Sequence, residues 1–564
     1  MQITLLQSIL IGIWSGLCFT GMLLGTFTNR CLVLSAGVGL VLGDLPTALL
    51  MGAVGELAFL GFGVSQGGSV PPNPLGPGII GTIIAVTMKD QGIDPGSALA
   101  LSFPFAVAIQ FLITAIYTAS TALTAKTAEA VSRKHFGTFR LLSNVTLIVF
   151  VLTGFCIGFA GAYSADGLKY LISLIPAWLS TGLGVAGNLL PAIGFAMILS
   201  VMVKKKYIPF VIIGYLAVAY LNLTIIGVAM LGTAVALLEY FRKEERQDTG
   251  GIRRGCAEKD CIEKDYIEKE NIENDRIENA NIENDITGGG RPRKTENRAQ
   301  VFNSGDYRRT ALRAYFLQSA FNYGNYEGTG YAYIMYPALR KFYKDDDALK
   351  RSIQENMEFM CTNPNFLPII TSMHLVMLDN NTSGDEIKSI KRALMGPLAG
   401  IGDSLVQFCI APLFSTIGAS LAQDGLLLGP VLFLAAMNGC LVSLKLMCCS
   451  WGRKLGSSIV ESLHEKMEQV TDMASMIGVT VIAGLAVSFV KLTTPLAYTA
   501  SLPDGQTSTV QIQSMLDAVA PRLLPALYTG FIFYLIKVKK WNVYKLVGIT
   551  VILGILLSAL HVIA

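Results

Sequence analysis

Leu394–Pro412 reads LMGPLAGIGDSLVQFCIAP and sets a single carboxylate, Asp403, inside a glycine-rich apolar run. An acidic side chain at membrane depth costs about 2.5–3.5 kcal/mol even on the lenient insertion scales. Such an acid either lies near the lipid headgroups at a tight helix start or belongs to a solute or ion site, and residue type alone leaves both open. Gly396, Gly400 and Gly402 predict that another backbone approaches this stretch closely.

Long apolar runs of this kind dominate the whole chain. Of its 564 residues, 52% are hydrophobic and only 15% are charged, whereas a soluble domain has about 25% charged residues. We therefore predict a polytopic membrane protein. The formal net charge of +4 does not indicate a nucleic-acid partner. The 10 cysteines lack the spacing of a metal site or a disulfide framework, and no cleavable signal peptide is expected.

The first half contains an interrupted apolar run. Leu32–Phe62 is broken by Gly43 and Asp44, which predicts a broken or re-entrant helix pair. Glu56 has no basic residue near it in the sequence, and QGGSVPPNP (66–74) follows. Irregular backbone at membrane depth is tolerated where it lines a wet cavity, and these polar groups suit a polyhydroxylated solute. An ordinary surface loop with an interfacial Glu56 stays open.

Tyr207–Tyr240 closes the first half and has basic residues on both flanks, so both of its ends are expected in the cytoplasm. As one helix it would be about 50 Å long, too long for one crossing of a membrane core of about 30 Å. We predict a hairpin of two short helices that turns near Asn222.

Residues 247–300 are different in composition. Isoleucine recurs there with a period of five, as in CIEKDYIEKENIENDRIEN (261–279). That period places the isoleucines neither on one helix stripe nor on one strand face. We predict a disordered, charged cytoplasmic linker. A partner-binding or coiled segment is the alternative.

The second half begins with an aromatic stretch, LRAYFLQSAFNYGNYEGTGYAYIMYPALRKFY (312–343), that also carries Gln318 and Asn322. Aromatic faces beside amides commonly hold a sugar, although the same side chains also suit a protein core. Residues 502–513 are polar and lack lysine and arginine, so we expect an extracytoplasmic loop there, whereas Lys537, Lys539 and Lys540 mark a return to the cytoplasm.

Together these segments resemble the mannose-class (mannose/fructose/sorbose) sugar permeases of the bacterial phosphotransferase system. Residues 1–245 look like the IIC component. The stretches that carry this resemblance are ITLLQ, GLVLGDLPTALLMGAVGELAFLG, the GGSVPPN loop and the 207–240 hairpin. Residues 303–564 look like the IID component. Here the resemblance is carried by FLQSAFNYGNYEGTGYAYIMYPALRKFY, LMGPLAGIGDSL, EKMEQVTDMASMIG and TVQIQSMLDAVAPRLLP. Residues 246–302 are the linker. The chain thus resembles a natural fusion of two usually separate components.

The resemblance implies an all-α, polytopic protein of the bacterial cytoplasmic membrane, with broken or re-entrant helices in two modules. It implies that C and D modules pair, that the pairs assemble into a homo-oligomer, expected to be a trimer, and that a moving core carries the sugar near the C–D contact. Phosphate is then expected from a histidine on a separate IIB protein, charged by IIA and the general phosphotransferase proteins. No cofactor, metal or phosphoryl-carrier residue is expected on this chain.

The resemblance also assigns six residues to binding the sugar hydroxyls or shaping the pocket: Gln7, Glu56, Asn73, Gln318, Asn322 and Asp403. The chain departs from the family pattern near these positions. Many relatives have an acid in place of Asn73, a Trp near Gln407 and an Arg near Ala411, and a Glu–Arg pair in place of Gly324 and Asn325. Charge and aromatic surface are therefore lost near the expected pocket, which makes an amino sugar or another modified hexose an alternative to mannose.

Two other classes of function stay open from the residues alone. One is an ion-coupled secondary transporter in which Glu56 and Asp403 are the coupling acids. The other is a membrane receptor or docking protein, such as a sensor or a bacteriocin target, that transports nothing. An ATP-driven pump is disfavoured because the sequence has no Walker-type loop.

Overall fold

The structure is a computed structural model. It describes residues 2–60, 71–174, 176–224, 226–239, 241–242, 301–455, 460–501 and 507–563. Almost all of the expected linker, and the GGSV part of the GGSVPPN loop, lie outside the described residues.

Within the described part of the first half, the helices are α1 (Leu5–Phe19), α2 (Gly21–Leu24), α3 (Cys31–Leu42), α4 (Leu45–Phe59), α5 (Thr82–Thr87), α6 (Pro95–Ser132), α7 (Phe136–Leu142), α8 (Val145–Tyr163), α9 (Ala165–Ser173), α10 (Ala177–Met202), α11 (Ile208–Ala219) and α12 (Ile226–Glu239). A π-helical segment, Gly76–Gly81, runs directly into α5. Short 3-10 turns lie at Lys89–Gln91 and Lys205–Tyr207.

In the described part of the second half, the helices are α13 (Ser304–Arg313), α14 (Gly328–Phe342), α15 (Asp346–Asn356), α16 (Leu367–Asp379), α17 (Gly384–Gly402), α18 (Ala411–Gln423), α19 (Leu428–Leu455), α20 (Val460–Phe489), α21 (Ile512–Val519), α22 (Leu523–Lys537) and α23 (Val543–Ala559). Strands β1 (Ala497–Ser501) and β2 (Thr507–Gln511) pair antiparallel, where the sequence predicted only a polar loop. Outside these strands, the regular secondary structure of the described residues is helical, as predicted.

Seven of the described helical stretches are long and apolar enough to cross a membrane, which confirms the polytopic prediction. A bent pair, α21 with α22, makes an eighth candidate with a 76° bend. The seven stretches are Leu5–Leu24, Pro95–Ser132, Phe136–Tyr163, Thr181–Met202, Gly384–Gln423, Leu428–Lys454 and Asp472–Phe489.

The two predicted interruptions of the first half are confirmed. Helix α3 ends at Gly43, whose φ of 82° is in the left-handed region that glycine adopts without strain. Asp44 then caps α4, because its side chain accepts a hydrogen bond from Thr47 N at 3.2 Å. Helices α11 and α12 form the predicted hairpin, with Asn222 (φ 48°) in the turn between them.

The stretch around Asp403 is continuous rather than a helix start. Helix α17 passes directly into a π-helical segment, Asp403–Ile410, and then into α18, so the interpretation of Asp403 as part of a tight helix start is wrong. A Cβ added at Gly402 would lie 2.3 Å from Asn363 Cβ, whereas one added at Gly396 or Gly400 would meet no atom within 4 Å. The predicted close approach therefore occurs at Gly402 alone of these three.

The two halves share their hydrophobic core. A cluster centred on α3–α5 and α10 also contains Ile482 and Leu546 of the second half. A second cluster around α14 and α16 contains Val131 and Phe139 of the first half. Polar contacts also join the halves, since Lys206 Nζ and Tyr207 Oη each donate a hydrogen bond of 2.6 Å to the Asp472 carboxylate.

The glycine contacts predict a difference between two neighbouring substitutions. Gly402→Ala should destabilise the protein by about 1–3 kcal/mol, because the new methyl group overlaps Asn363 in a packed site. Gly400→Ala is the matched control and should be neutral or slightly stabilising, since alanine is the better helix former by about 1 kcal/mol and the site is open. Thermal unfolding of the purified variants measures both. Equal losses in the two variants would contradict the close approach at Gly402.

Candidate functional site

A cavity of about 520 Å³ lies between the two halves of the chain. The first half contributes Arg30, Asn73 and Gln110 to its wall, and the second half contributes Gln318 and Asp403 among others. This volume is typical of sites for small molecules, which occupy about 300–1,000 Å³. Three of the six predicted site residues therefore meet at one cavity although they are far apart in the sequence.

Asp403 opens toward the cavity at the first residue of the π-helical segment. Asn363 Nδ2 donates a hydrogen bond of 2.9 Å to Asp403 Oδ1, and Asn363 is the residue whose Cβ fits against Gly402. A π-helical turn changes which side chains face a neighbouring element, and such turns are frequent at functional sites. The local backbone thus sets the carboxylate at the cavity surface and Asn363 holds it there.

Glu327 supplies a second carboxylate to the cavity wall and is only 2% exposed. Gln318 Nε2 donates to Glu327 Oε1 at 2.9 Å, and the backbone N–H of Thr362 donates to Oε2 at 2.9 Å. Burial raises the pKa of Glu327 to about 7, although both hydrogen bonds favour the charged form and oppose this rise. The predicted residue Gln318 therefore both lines the cavity and fixes a carboxylate beside it.

Asn73 lies where an irregular segment meets the Gly76–Gly81 π-helical turn. Its side-chain Oδ1 accepts a hydrogen bond from Leu75 N at 3.0 Å, and its backbone N–H donates to Ala106 O at 3.1 Å. These bonds satisfy N–H groups at the start of the helical turn, which have no partner within the turn itself. They also hold the Asn73 amide at the cavity wall.

Glu56 is the most enclosed acid near the cavity, with 1% exposure, and it joins the two halves. Arg30 Nε donates to Glu56 Oε1 at 2.7 Å, and Ser415 Oγ of the second half donates to the same oxygen at 2.6 Å. Glu56 is thus paired with a basic residue 26 positions away, a partner that the local sequence did not indicate. Arg30, rather than Glu56, is among the described residues that line the cavity.

Lys445 brings a second positive charge to the cavity wall from the apolar helix α19. Its ammonium group donates a hydrogen bond to Asn365 Oδ1 and lies 4.1 Å from the centre of the Tyr315 ring. A buried ammonium needs such partners because an isolated charge is costly in an apolar setting. The cavity therefore carries two acids and two bases on its wall.

Aromatic side chains complete the cavity. Phe321 and Tyr326 lie on its wall, with ring centroids 5.5 Å apart. The aromatic stretch of the second half therefore contributes both to the cavity wall and to the core, where Tyr331 is fully buried. Apolar faces beside hydrogen-bonding groups suit the two surfaces of a sugar ring.

Gln7 and Asn322 are not among the described residues that line this cavity. The Gln7 side chain accepts a hydrogen bond from the backbone N–H of Thr4, the N-cap residue of α1, and its Nε2 donates to Val41 O at 3.1 Å. Asn322 is 2% exposed, and its Oδ1 accepts hydrogen bonds from the backbone N–H groups of Gly324 and Asn325. Both side chains support the local backbone, and their assignment to sugar binding stays a prediction.

The sequence reasoning missed several cavity residues: Arg30, Glu327, Asn363, Asn365 and Lys445. Lys445 had a signal, because it is a lysine inside a long apolar run, and intramembrane charges are functional candidates by default. Asn363 and Asn365 stand in MCTNPNFL (360–367), whose amides flank a proline turn. Their approach to Asp403 and Lys445 depends on packing between helices and has no sequence signal.

Comparison with known proteins gives a separate match for each half. A family model described as "PTS system mannose/fructose/sorbose family IID component" matches residues 302–563. Another, described as "PTS system sorbose-specific iic component", matches residues 5–238. The two models together cover the described parts of the chain almost completely.

Individual relatives repeat this division. The N-acetylgalactosamine permease IIC component 1 of Escherichia coli (strain K12) is 34% identical over 223 residues, which are 39% of this chain and 82% of that protein. The mannose-specific EIID component of the same strain is 29% identical over 255 residues, which are 44% of this chain and 90% of that protein. A solved structure described as "Structure of membrane protein" is 28% identical, with a TM-score of 0.44, and covers 46% of this chain and 98% of that one.

The two acids should respond differently to substitution. Glu56→Ala leaves the buried Arg30 without its counter-charge, which should cost about 3–5 kcal/mol of stability. Asp403→Asn keeps the shape of a side chain that is open to the cavity, so its stability should change little while its transport activity is lost. Thermal unfolding and solute uptake, measured on both variants, test this. An unchanged melting temperature for Glu56→Ala would contradict the structural role of the ion pair.

Proposed function

This chain belongs to the mannose/fructose/sorbose family of phosphotransferase-system permeases and carries a IIC and a IID component in one polypeptide, and from that premise we propose that the cavity between the two components binds the sugar. Its function is sugar uptake through the phosphotransferase system. Permease components of this kind work with IIA and IIB proteins. We place the phosphoryl-donating histidine on a separate IIB protein.

The observation that carries the proposal is the joint construction of the cavity. Asn73 comes from the IIC part, and Gln318 and Asp403 come from the IID part. Carboxylates accept hydrogen bonds from hydroxyls, amides both donate and accept them, and the aromatic faces of Phe321 and Tyr326 suit the apolar side of a pyranose. We propose Asn73, Gln318 and Asp403 as sugar ligands, with Glu56 acting through Arg30.

For the substrate we propose a hexose with nitrogen at one position, either free or acetylated. The IIC relative at 34% identity is named for N-acetylgalactosamine. The cavity is rich in amides, with Asn73, Gln110 and Asn363 on its wall, and amides pair well with an acetamido group through complementary donors and acceptors. The replacement of an acid by Asn73, noted from the sequence, removes a negative charge from this region.

Three further features are part of the proposal. We assign residues 1–245 and 303–564 to the two modules and residues 246–302 to a cytoplasmic linker, in a multi-pass protein of the bacterial cytoplasmic membrane. We propose assembly into a homo-oligomer, with a trimer as the expected state. The ion-coupled alternative has no support among the relatives, and Glu56, one of its two coupling acids, is already engaged by Arg30 and Ser415.

Uptake of radiolabelled N-acetylgalactosamine tests the coupling. We expect label inside the cell as phosphate ester when IIA and IIB are present, and no accumulation when IIB is deleted. Uptake of mannose, measured in parallel, shows whether the chain prefers an acetylated amino sugar to mannose. Accumulation of free sugar that persists without IIB and collapses with an uncoupler would favour ion coupling instead. Binding without uptake in the complete system would favour a receptor.

Cys361 offers a test of binding that does not depend on phosphorylation. This thiol is exposed and lies on the cavity wall, so in a variant with the other cysteines replaced by serine, a maleimide should label it and bound sugar should slow the labelling. Adding Asp403→Asn should raise the sugar concentration needed for protection by about ten- to a hundredfold, since a hydrogen bond to a charged group is worth about 1.5–3 kcal/mol.

Gly400→Ala in the same background is the matched control and should leave the protection unchanged, because this position is open and carries no polar group. Equal protection in the Asp403→Asn variant would remove Asp403 from the set of sugar ligands. If no hexose protects Cys361 from labelling, the cavity is not the sugar-binding site.

A further inference from the structure

A second cavity of about 390 Å³ lies at the end of the helix bundle where α22 turns into α23. One wall comes from α10 of the IIC part, through Ser200 and Val201. The other comes from the IID part, through Lys537, Lys540 and Trp541. The cavity is separate from the sugar cavity, and no residue lines both.

The charge of this second cavity is positive. Lys537 Nζ donates to Ser200 O at 2.8 Å, which keeps its ammonium group between the two halves. Lys540 lies on the wall and Lys539 is exposed beside it. Among the described residues, no carboxylate lies within salt-bridge distance of these three lysines. The N-terminus of α23, at Val543, adds the positive end of a 17-residue helix.

The rest of the cavity wall is apolar. Met197, Val201, Ile536 and Leu546 form this part of its wall, and Val201 is 42% exposed on the outer side of α10. Trp541 lies at the same level as the lysines, and tryptophan is enriched at the membrane–water boundary. Since Lys204 and Lys205 follow α10 at this end, the positive-inside rule places the cavity at the cytoplasmic headgroup level.

We propose that this cavity binds an anionic phospholipid of the cytoplasmic leaflet, with its phosphate between Lys537 and Lys540 and its acyl chains along the exposed Val201. Basic pockets between membrane helices on the cytoplasmic side are typical sites for acidic headgroups. The apolar wall distinguishes a lipid from a soluble phosphate, because a free anion would leave that wall in contact with water. The lipid contacts residues of both the IIC and the IID part, so it stabilises the interface between the two components.

The test uses the purified full-length chain in detergent with defined lipids. Native mass spectrometry gives the affinity for phosphatidylglycerol. Because each lysine near an anionic headgroup contributes about a fivefold factor in affinity, Lys540→Gln should bind about fivefold more weakly and Lys537→Gln/Lys540→Gln about 25-fold more weakly. The single variant keeps the Lys537–Ser200 contact, so it remains informative if the double variant folds poorly.

Lys491→Gln is the matched control, since Lys491 is an exposed lysine just beyond the far end of α20 and away from this cavity. It should bind phosphatidylglycerol like the unmodified chain, and phosphatidylcholine should bind the unmodified chain weakly. Undiminished phosphatidylglycerol affinity in both cavity variants would overturn the proposal. So would equal affinity for phosphatidylcholine, or displacement of the lipid by millimolar inorganic phosphate, which would make a free anion the occupant.

Discussion

The rest of the structure depends on the burial of the Glu56 carboxylate. A carboxylate in an apolar membrane interior is stable only if its lone pairs are paired with donors. Here the donors come from two places, with Arg30 and the backbone of Leu32 at the start of α3 and Ser415 on α18 of the other half. Separation of the two halves at this point would therefore remove one of the donors of a buried carboxylate. The same ion pair fixes the Arg30 guanidinium at the wall of the cavity between the halves.

Backbone irregularity supplies the second constraint. Both components place a π-helical segment beside the cavity, Gly76–Gly81 in the IIC part and Asp403–Ile410 in the IID part. Such segments leave backbone groups that must find partners within the protein, because lipid offers none. Asn73 and Asn363 take part in these local networks and also face the cavity. Some polar groups of the cavity wall are thus the same groups that stabilise the irregular helices.

The sequence predicted the helical fold, the break at Gly43 and the hairpin turn at Asn222, because left-handed turns and apolar run lengths are local properties. It also predicted three of the residues that now line one cavity. It did not predict the Arg30–Glu56 pair, whose members are 26 positions apart, nor the approach of Asn363 to Gly402. Those contacts depend on how helices cross. Periodicity and composition constrain which face of a helix is apolar and leave its neighbour unspecified.

The charge balance of the cavity bears on how a permease of this family can release its product. The cavity wall carries two acids, Asp403 and Glu327, and two bases, Arg30 and Lys445. Arg30 also forms an ion pair with Glu56, which does not line the cavity. A neutral sugar, such as an N-acetylated hexose, adds no charge to this arrangement, and in the proposed site it exchanges its hydration for hydrogen bonds to the amides and carboxylates. A phosphate ester adds roughly −1.5 to −2 charges near neutral pH. In the proposed binding mode, one of the two bases is already paired and the added charge lies close to Asp403 and Glu327, so we expect phosphorylation to weaken the hold of the cavity on the sugar. The reaction itself would then favour release toward the side where the phosphate is added.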